Sequence, residues 1–268
     1  IFPNLEYLDI DFRDAQKLLL SNTLEHRMHR LKEVKLNEVN DGECLRQILY
    51  RIPNLEKLSL SSSNITDLLL ESSSEICLGT VLQLKELVLL VSEIENIRFE
   101  QDPVLQRVEL WSLFGCNKLR NLARPSVSLA YLTDLKIEYC DGLRNLMASS
   151  TAKSLVQLKS MKISGCYKIK EIVTNEGNEE ERQIVFNKLI TIKLEELKEL
   201  KSFCSYENFK FKFPSLETLI VRNCPKMQTF TKGGASAPKL QNAVEGKEEA
   251  KRQWEDSNAT VEEHFNHM

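Results

Sequence analysis

Apolar residues in this chain recur as L-x-x-L-x-L, with Ile, Val, Met or Trp substituting, and the motif starts at Leu5, Leu31, Leu55, Leu84, Val108, Leu132, Leu158, Leu189 and Leu216. Successive starts lie 26, 24, 29, 24, 24, 26, 31 and 27 residues apart. The alternation x-L-x-L-x predicts a short strand with one buried face, and its recurrence at this interval predicts a repeat protein. In the fifth unit Leu105, Val108 and Leu110 also fit the pattern. Aligning Val108, Trp111 and Leu113 instead places a cysteine where neighbouring units have one. Cys116, Cys140, Cys166 and Cys224 stand three residues after the third apolar position, each followed by apolar residues three and six places on. Leu197, Leu200 and Phe203 fill those places in the eighth unit.

Period and pattern match the leucine-rich repeat, in which a short strand is followed by a turn and an irregular or helical return segment. One such unit cannot cover its own apolar face, so neighbours stack into a curved solenoid with a continuous core. The expected fold is therefore an α/β solenoid, a leucine-rich-repeat horseshoe of about nine irregular repeats. A parallel sheet of nine strands would line its concave side over roughly 40 Å, with loops and short helices on the convex side. Asp41 is placed to cap a helix that puts Leu45, Ile48 and Leu49 on one face, and residues 14 to 29 are rich in helix formers. The solenoid is expected over 1–231, followed by a polar tail over 232–268. Leu240, Val244, Trp254, Val261 and Phe265 either fold back as a cap or leave the tail mobile. Phe2-Pro3-Asn4-Leu5 opens directly into the first unit, so a longer chain upstream is expected.

Composition narrows the function classes. The chain has 268 residues, 36 Lys plus Arg against 39 Asp plus Glu, a formal net charge of -3 and 42% hydrophobic residues. Those values fit a folded, water-soluble chain and argue against a dedicated nucleic-acid binder. The longest strongly apolar run, Leu87 to Val91, is far too short to span a membrane. Seven cysteines without a C-x-x-C pair argue for reduced thiols and a cytoplasmic setting. The aligned cysteines are read as small buried side chains, the alternative being a metal or redox cluster with no histidine beside it. His26 and His29 share the spacing of a helix face, but no third ligand accompanies them. No nucleophile elbow or H-E-x-x-H occurs, so neither catalysis nor a cofactor is expected.

The stretches FNKLITIKLEELKELKSFC (Phe186 to Cys204) and FPSLETLIVRNCPKMQTF (Phe213 to Phe230) closely resemble plant disease-resistance proteins, and WEDSNATV (Trp254 to Val261) resembles the end of such chains. The family is the intracellular nucleotide-binding, leucine-rich-repeat immune receptors of the coiled-coil class. The resemblance implies a C-terminal sensor domain that perceives a pathogen effector or a modified host protein and restrains an upstream nucleotide-binding switch. No G-x-x-x-x-G-K-[ST] loop occurs, so nucleotide binding is not carried over. The alternative is the substrate-recognition repeat domain of a ubiquitin-ligase receptor. Either way the expected partners are proteins: the chain's own nucleotide-binding domain, an effector or a guarded host protein.

In such a strand the residues beside the inward leucines face the concave side. The position between the second and third apolar residues reads Asp9, Lys35, Ser59, Val88, Ser112, Lys136, Lys162, Lys193 and Ile220. Lys136, Lys162 and Lys193 fall in adjacent units, within a Debye length of about 8 Å of one another, and form a positive stripe suited to an acidic surface. The competing account is a solvated face neutralised by Asp134, Glu138, Glu195 and Glu196. Val88, Leu90, Val91, Leu110 and Phe114 also fall at concave positions and form an apolar patch of the kind that contacts other proteins. If the register slips at Leu105/Val108, these residues are core instead.

Overall fold

The computed structural model describes residues 4–20, 28–68, 83–97, 103–123, 127–175 and 182–246. The chain begins with β1 (Tyr7–Asp11), α1 (Phe12–Leu20), β2 (Glu33–Asn37), α2 (Gly42–Tyr50), β3 (Lys57–Ser61) and β4 (Asp67–Leu68). It continues through β5 (Glu86–Leu90), β6 (Asn96–Ile97), α3 (Pro103–Gln106), β7 (Leu110–Phe114), β8 (Asp134–Glu138), β9 (Asn145–Ala148) and α4 (Ser149–Ser154). Then come β10 (Ser160–Ser164), β11 (Glu171–Thr174), β12 (Arg182–Val185), β13 (Thr191–Glu195) and β14 (Phe209–Lys212). β15 (Thr218–Arg222), β16 (Ala235–Ser236) and β17 (Asn242–Gly246) complete the order.

Ten of these strands form one parallel sheet, ordered β1-β2-β3-β5-β7-β8-β10-β13-β15-β17. It is the concave sheet of a leucine-rich-repeat solenoid, with each strand beside its sequence neighbour in the array. At the start of each strand one carbonyl accepts two successive N–H groups of the next repeat: Glu6 from Lys32 and Glu33, and so on to Glu217 from Gln241 and Asn242. Both lone pairs of that oxygen are used, which locks the lateral register at a single point per repeat. The inward positions from Val34 and Leu36 in β2 to Ile192 and Leu194 in β13 are at most 1% exposed. Each such side chain contributes about 1.5–3 kcal/mol by leaving water. Trp111 and Leu113 are inward and Leu110 is not, so the fifth unit follows the Val108 register; Leu105 lies in the core one turn earlier.

The sheet runs one strand further than the nine expected. β17 lies inside the stretch expected to be tail, and it pairs with β15 from Thr218↔Asn242 to Arg222↔Gly246. Its motif escapes the pattern because Ala243 and Glu245 stand in register with Leu219 and Val221. Trp254, Val261 and Phe265 lie outside the described residues.

The convex side is more regular than a set of loops. Here β4 pairs with β6, β9 with β11, β12 with β14 and β14 with β16, all in parallel. Return segments stacked at sheet spacing satisfy each other's backbone groups, which buried chain cannot leave unpaired. Asp41 caps α2 as its position suggests, its Oδ1 accepting the N–H groups of Glu43 and Cys44 at 2.9 and 3.0 Å. Leu45, Ile48 and Leu49 are buried in the core, with α2 packed against α1. The helix read within 14 to 29 is described as α1 only, since 21–27 lie outside the described residues. Under the last repeats, Phe186, Phe203, Phe211, Phe213 and Phe230 pack as an aromatic cluster. Phe203 stacks on Phe230 at 4.9 Å and meets Phe211 edge-on at 5.5 Å.

Eight strand exits share one conformation. Glu38, Ser62, Val91, Gly115, Tyr139, Gly165, Glu196 and Asn223 each follow a strand and have φ between 46° and 66°. From Glu38 to Glu196, their N–H groups donate to the last carbonyl of the neighbouring strand at 2.7 to 3.0 Å. For residues with a β-carbon this left-handed turn costs roughly 1–2 kcal/mol, which the hydrogen bond and the core beneath must offset.

The next residue along is the aligned cysteine. Cys116, Cys140 and Cys166 are wholly buried, whereas Cys224, near the end of the array, is partly exposed. Their thiols serve the backbone: Cys140 Sγ accepts the Cys116 N–H at 3.4 Å, and Cys166 Sγ accepts the Cys140 N–H at 3.3 Å.

Candidate partner-binding face

The outward residues of the ten strands form three rows across the sheet. The central row reads Asp9, Lys35, Ser59, Val88, Ser112, Lys136, Lys162, Lys193, Ile220 and Val244, each in register with the next. Strand alternation brings together the residues read from sequence as a site, and adds Val244 to their row.

The first three strands neutralise themselves. Lys35 Nζ lies 3.0 Å from Asp9 Oδ2, and Asp9 also accepts from Asn37 and Tyr7. The Lys35 bond holds the Asp9 carboxyl below its ordinary value, and the Lys35 ammonium is correspondingly raised. Lys57 bridges Glu33 at 3.1 Å and Glu86 at 3.6 Å, and its pKa is raised first by the bond to Glu33. Exposed pairs of this kind add little to stability and fill the surface with internally matched charge.

The middle strands are apolar. Val88, Leu90 and Leu110 are half-buried and Phe114 is 38% exposed, so none belongs to the core. Val91 extends the patch at 58% exposure. Tyr139, which the sequence reading passed over, joins it: its ring meets Phe114 edge-on at 5.3 Å. Its signal was positional. Tyr139 occupies the strand-exit place where Gly115 and Gly165 stand in adjacent repeats.

Beyond the patch the central row turns basic. Lys136 is paired with Glu138 at 2.6 Å. Lys162 and Lys193 make no ion pair with any described residue; nearby, Glu195 is engaged by Arg222 at 3.6 Å and Asp134 accepts from Thr133 at 2.8 Å. The stripe therefore carries two uncompensated ammonium groups side by side, linked by the register Lys162↔Lys193.

Among the described residues no group of His, Cys, Asp or Glu is gathered to hold a metal ion. His29 is exposed and His26 lies outside the described residues. No helix among them is long and apolar enough to cross a membrane.

The class is thus a leucine-rich-repeat array with an amphipathic concave face. Residues 119–232 match the family model described as "Plant disease resistance protein RPS2-like, leucine-rich repeats", so this part of the chain is similar to the repeats of those proteins. No curated protein matches the chain. Among solved structures, the leucine-rich repeat domain of the type III effector XCV3220 (XopL) superposes with a TM-score of 0.46 at 15% identity, covering 85% of this chain and 90% of its own.

Proposed function

We propose that this chain is the sensor and autoregulatory domain of a plant intracellular immune receptor of the nucleotide-binding, coiled-coil class. In this reading it works in the cytoplasm, through protein contact and without chemistry of its own. Its concave face meets either the receptor's own nucleotide-binding switch or, in exchange, a pathogen effector or modified host protein.

One observation carries the reading: a solvent-facing apolar patch, Val88, Leu90, Leu110 and Phe114, lies beside the unpaired Lys162 and Lys193 on a sheet whose other lysines are matched. Apolar area next to uncompensated charge is the surface composition of a protein contact, where both are covered at once. Similarity of residues 119–232 to plant disease-resistance repeats supports the setting.

The test is binding of residues 1–268 to the nucleotide-binding region of the same receptor, with wild type compared against Lys136→Glu/Lys162→Glu/Lys193→Glu. Circular dichroism first establishes that both fold. Wild-type binding that the triple variant loses supports autoregulation through this face. Absence of wild-type binding in every nucleotide state overturns it.

A further inference from the structure

Of the six non-glycine residues at left-handed strand exits, two are bulky and apolar, Val91 and Tyr139. The left-handed turn after each strand is free of steric cost for glycine, which Gly115 and Gly165 provide. Val91 adopts it at φ 46° and Tyr139 at φ 53°, and a β-branched residue in that region is a true outlier. Neither is recruited by the core, since Val91 is 58% and Tyr139 45% exposed. Each leans over the glycine of the next repeat. A β-carbon on Gly115 would stand 3.4 Å from Val91 Cγ2, and one on Gly165 would stand 2.5 Å from the Tyr139 ring. Phe114 lies between them against Tyr139. Together with Leu90 they make a continuous apolar ledge along the strand-exit rim.

Backbone strain and exposed apolar area are both unfavourable in the free protein. The strain is shared with Glu38, Ser62, Glu196 and Asn223; what sets Val91 and Tyr139 apart is that they add exposed apolar area to it.

We propose that Leu90, Val91, Phe114 and Tyr139 seat one bulky apolar side chain of a partner-protein segment whose acidic residues lie over Lys162 and Lys193. This rests on the concave-face reading above and adds the occupant and its orientation. Charge complementarity selects the occupant: Lys35, Lys57 and Lys136 already hold carboxylates, while Lys162 and Lys193 hold none among the described residues. Their strands, β10 and β13, are the first and second neighbours beyond the β8 strand that Tyr139 follows. At about 4.8 Å per strand they lie about 5 and 10 Å from it across the sheet. The lysine row is in register with Lys136, three residues and about 10 Å back along the strands from Tyr139, so at about 3.3 Å per residue carboxylates three to five positions from the apolar anchor meet the two lysines. The segment crosses the strands with its apolar end over β7 and β8 and its acidic end over β10 and β13.

The experiment pans a displayed library of random 12-residue peptides on folded residues 1–268. It then measures a synthetic copy of the leading peptide against wild type, Val91→Gly, Tyr139→Gly and Lys162→Glu/Lys193→Glu. The expected wild-type selection is one apolar anchor with carboxylates three to five residues away. Each glycine variant should bind the peptide at least tenfold more weakly while its thermal midpoint stays level or rises, because glycine relaxes the turn. The lysine variant should lose binding too. If the glycine variants melt lower and bind normally while the lysine variant still loses binding, Val91 and Tyr139 are covers for the glycines beneath them; the ledge falls and the concave-face reading survives. Peptides without carboxylates, or no enrichment over a control protein, overturn the proposed occupant. Equal binding by all variants, together with an unimpaired lysine variant in the nucleotide-binding-region assay, overturns both.

Discussion

Cys140 donates its backbone N–H to the thiol of Cys166 across 3.3 Å, so a side chain of one repeat closes the backbone of the one before it. The same relation joins Cys116 to Cys140 at 3.4 Å. Cys140 is therefore a donor through its backbone and an acceptor through its sulfur, within a site that excludes water. Replacing Cys140 with Ala strands the Cys116 N–H in the core. The expected loss is about 1–3 kcal/mol in urea unfolding. Cys140→Ser keeps an acceptor and should fall between the two; a serine variant no more stable than the alanine one would mean that only volume matters.

Gly142 and Gly42 should respond oppositely to a methyl group. A β-carbon on Gly142 would stand 2.4 Å from the Leu119 carbonyl oxygen and 2.6 Å from that of Asn117, both backbone atoms of the adjacent repeat. Relief requires the repeats to separate, so Gly142→Ala should cost about 1–3 kcal/mol or more. At Gly42, in the first turn of α2, the nearest atom is the Arg46 Nη1 at 3.8 Å. Gly42→Ala should be neutral or stabilise by up to about 1 kcal/mol through a less flexible unfolded chain. Thermal midpoints of the two variants check both signs.

Phe203 is the hub of the aromatic cluster, with ring contacts to Phe186, Phe211, Phe213 and Phe230 at 4.9 to 6.4 Å. Phe203→Ala should cost about 3–5 kcal/mol and should lower protection from amide exchange first in β12, β14 and β16. Equal loss of protection in β2 and β3 would show that the array unfolds as one block.

Asp41 carries a pH dependence. The N–H of Cys44 holds its carboxyl below the ordinary value, aided by the N–H of Glu43. A group whose folded pKa is depressed stabilises the fold above its unfolded pKa, about 3.9, and loses that contribution as pH falls through the folded value. Asp41→Ala should cost about 0.5–2 kcal/mol at neutral pH. The gap between wild type and variant should close on acidification below pH about 4. A gap that persists in acid would mean the cap is not ionic.

The apolar alternation located nine strands because an inward leucine or isoleucine repeats wherever one face is buried. It missed β17 because Ala243 and Glu245 break that alternation, and strand identity there comes from pairing with β15. The two- to four-residue convex strands are set by neighbouring repeats at sheet spacing and leave no periodic trace in the chain. Face assignment was legible, since strand alternation alone puts Val88, Phe114, Lys162 and Lys193 outward. Pairing was not: whether Glu138 or Glu195 neutralises a lysine depends on side-chain reach, and of Lys136, Lys162 and Lys193 the first alone is matched among the described residues. The left-handed exits were equally hidden. Glycine marks them at Gly115 and Gly165, but Val91 and Tyr139 carry no such sign.

Between β10 and β13 the chain spends 31 residues per repeat, and between β7 and β8 only 24, yet Lys162 faces Lys193 as squarely as Ser112 faces Lys136. The variation in length falls outside the strands and leaves the register unchanged, because one carbonyl fixes each strand start. The concave face is thus a grid of three columns by ten lines whose cells do not move when loops grow or shrink. A repeat array built this way can change the surface it presents one cell at a time, and a new side chain at one line leaves the geometry of every other line as it was.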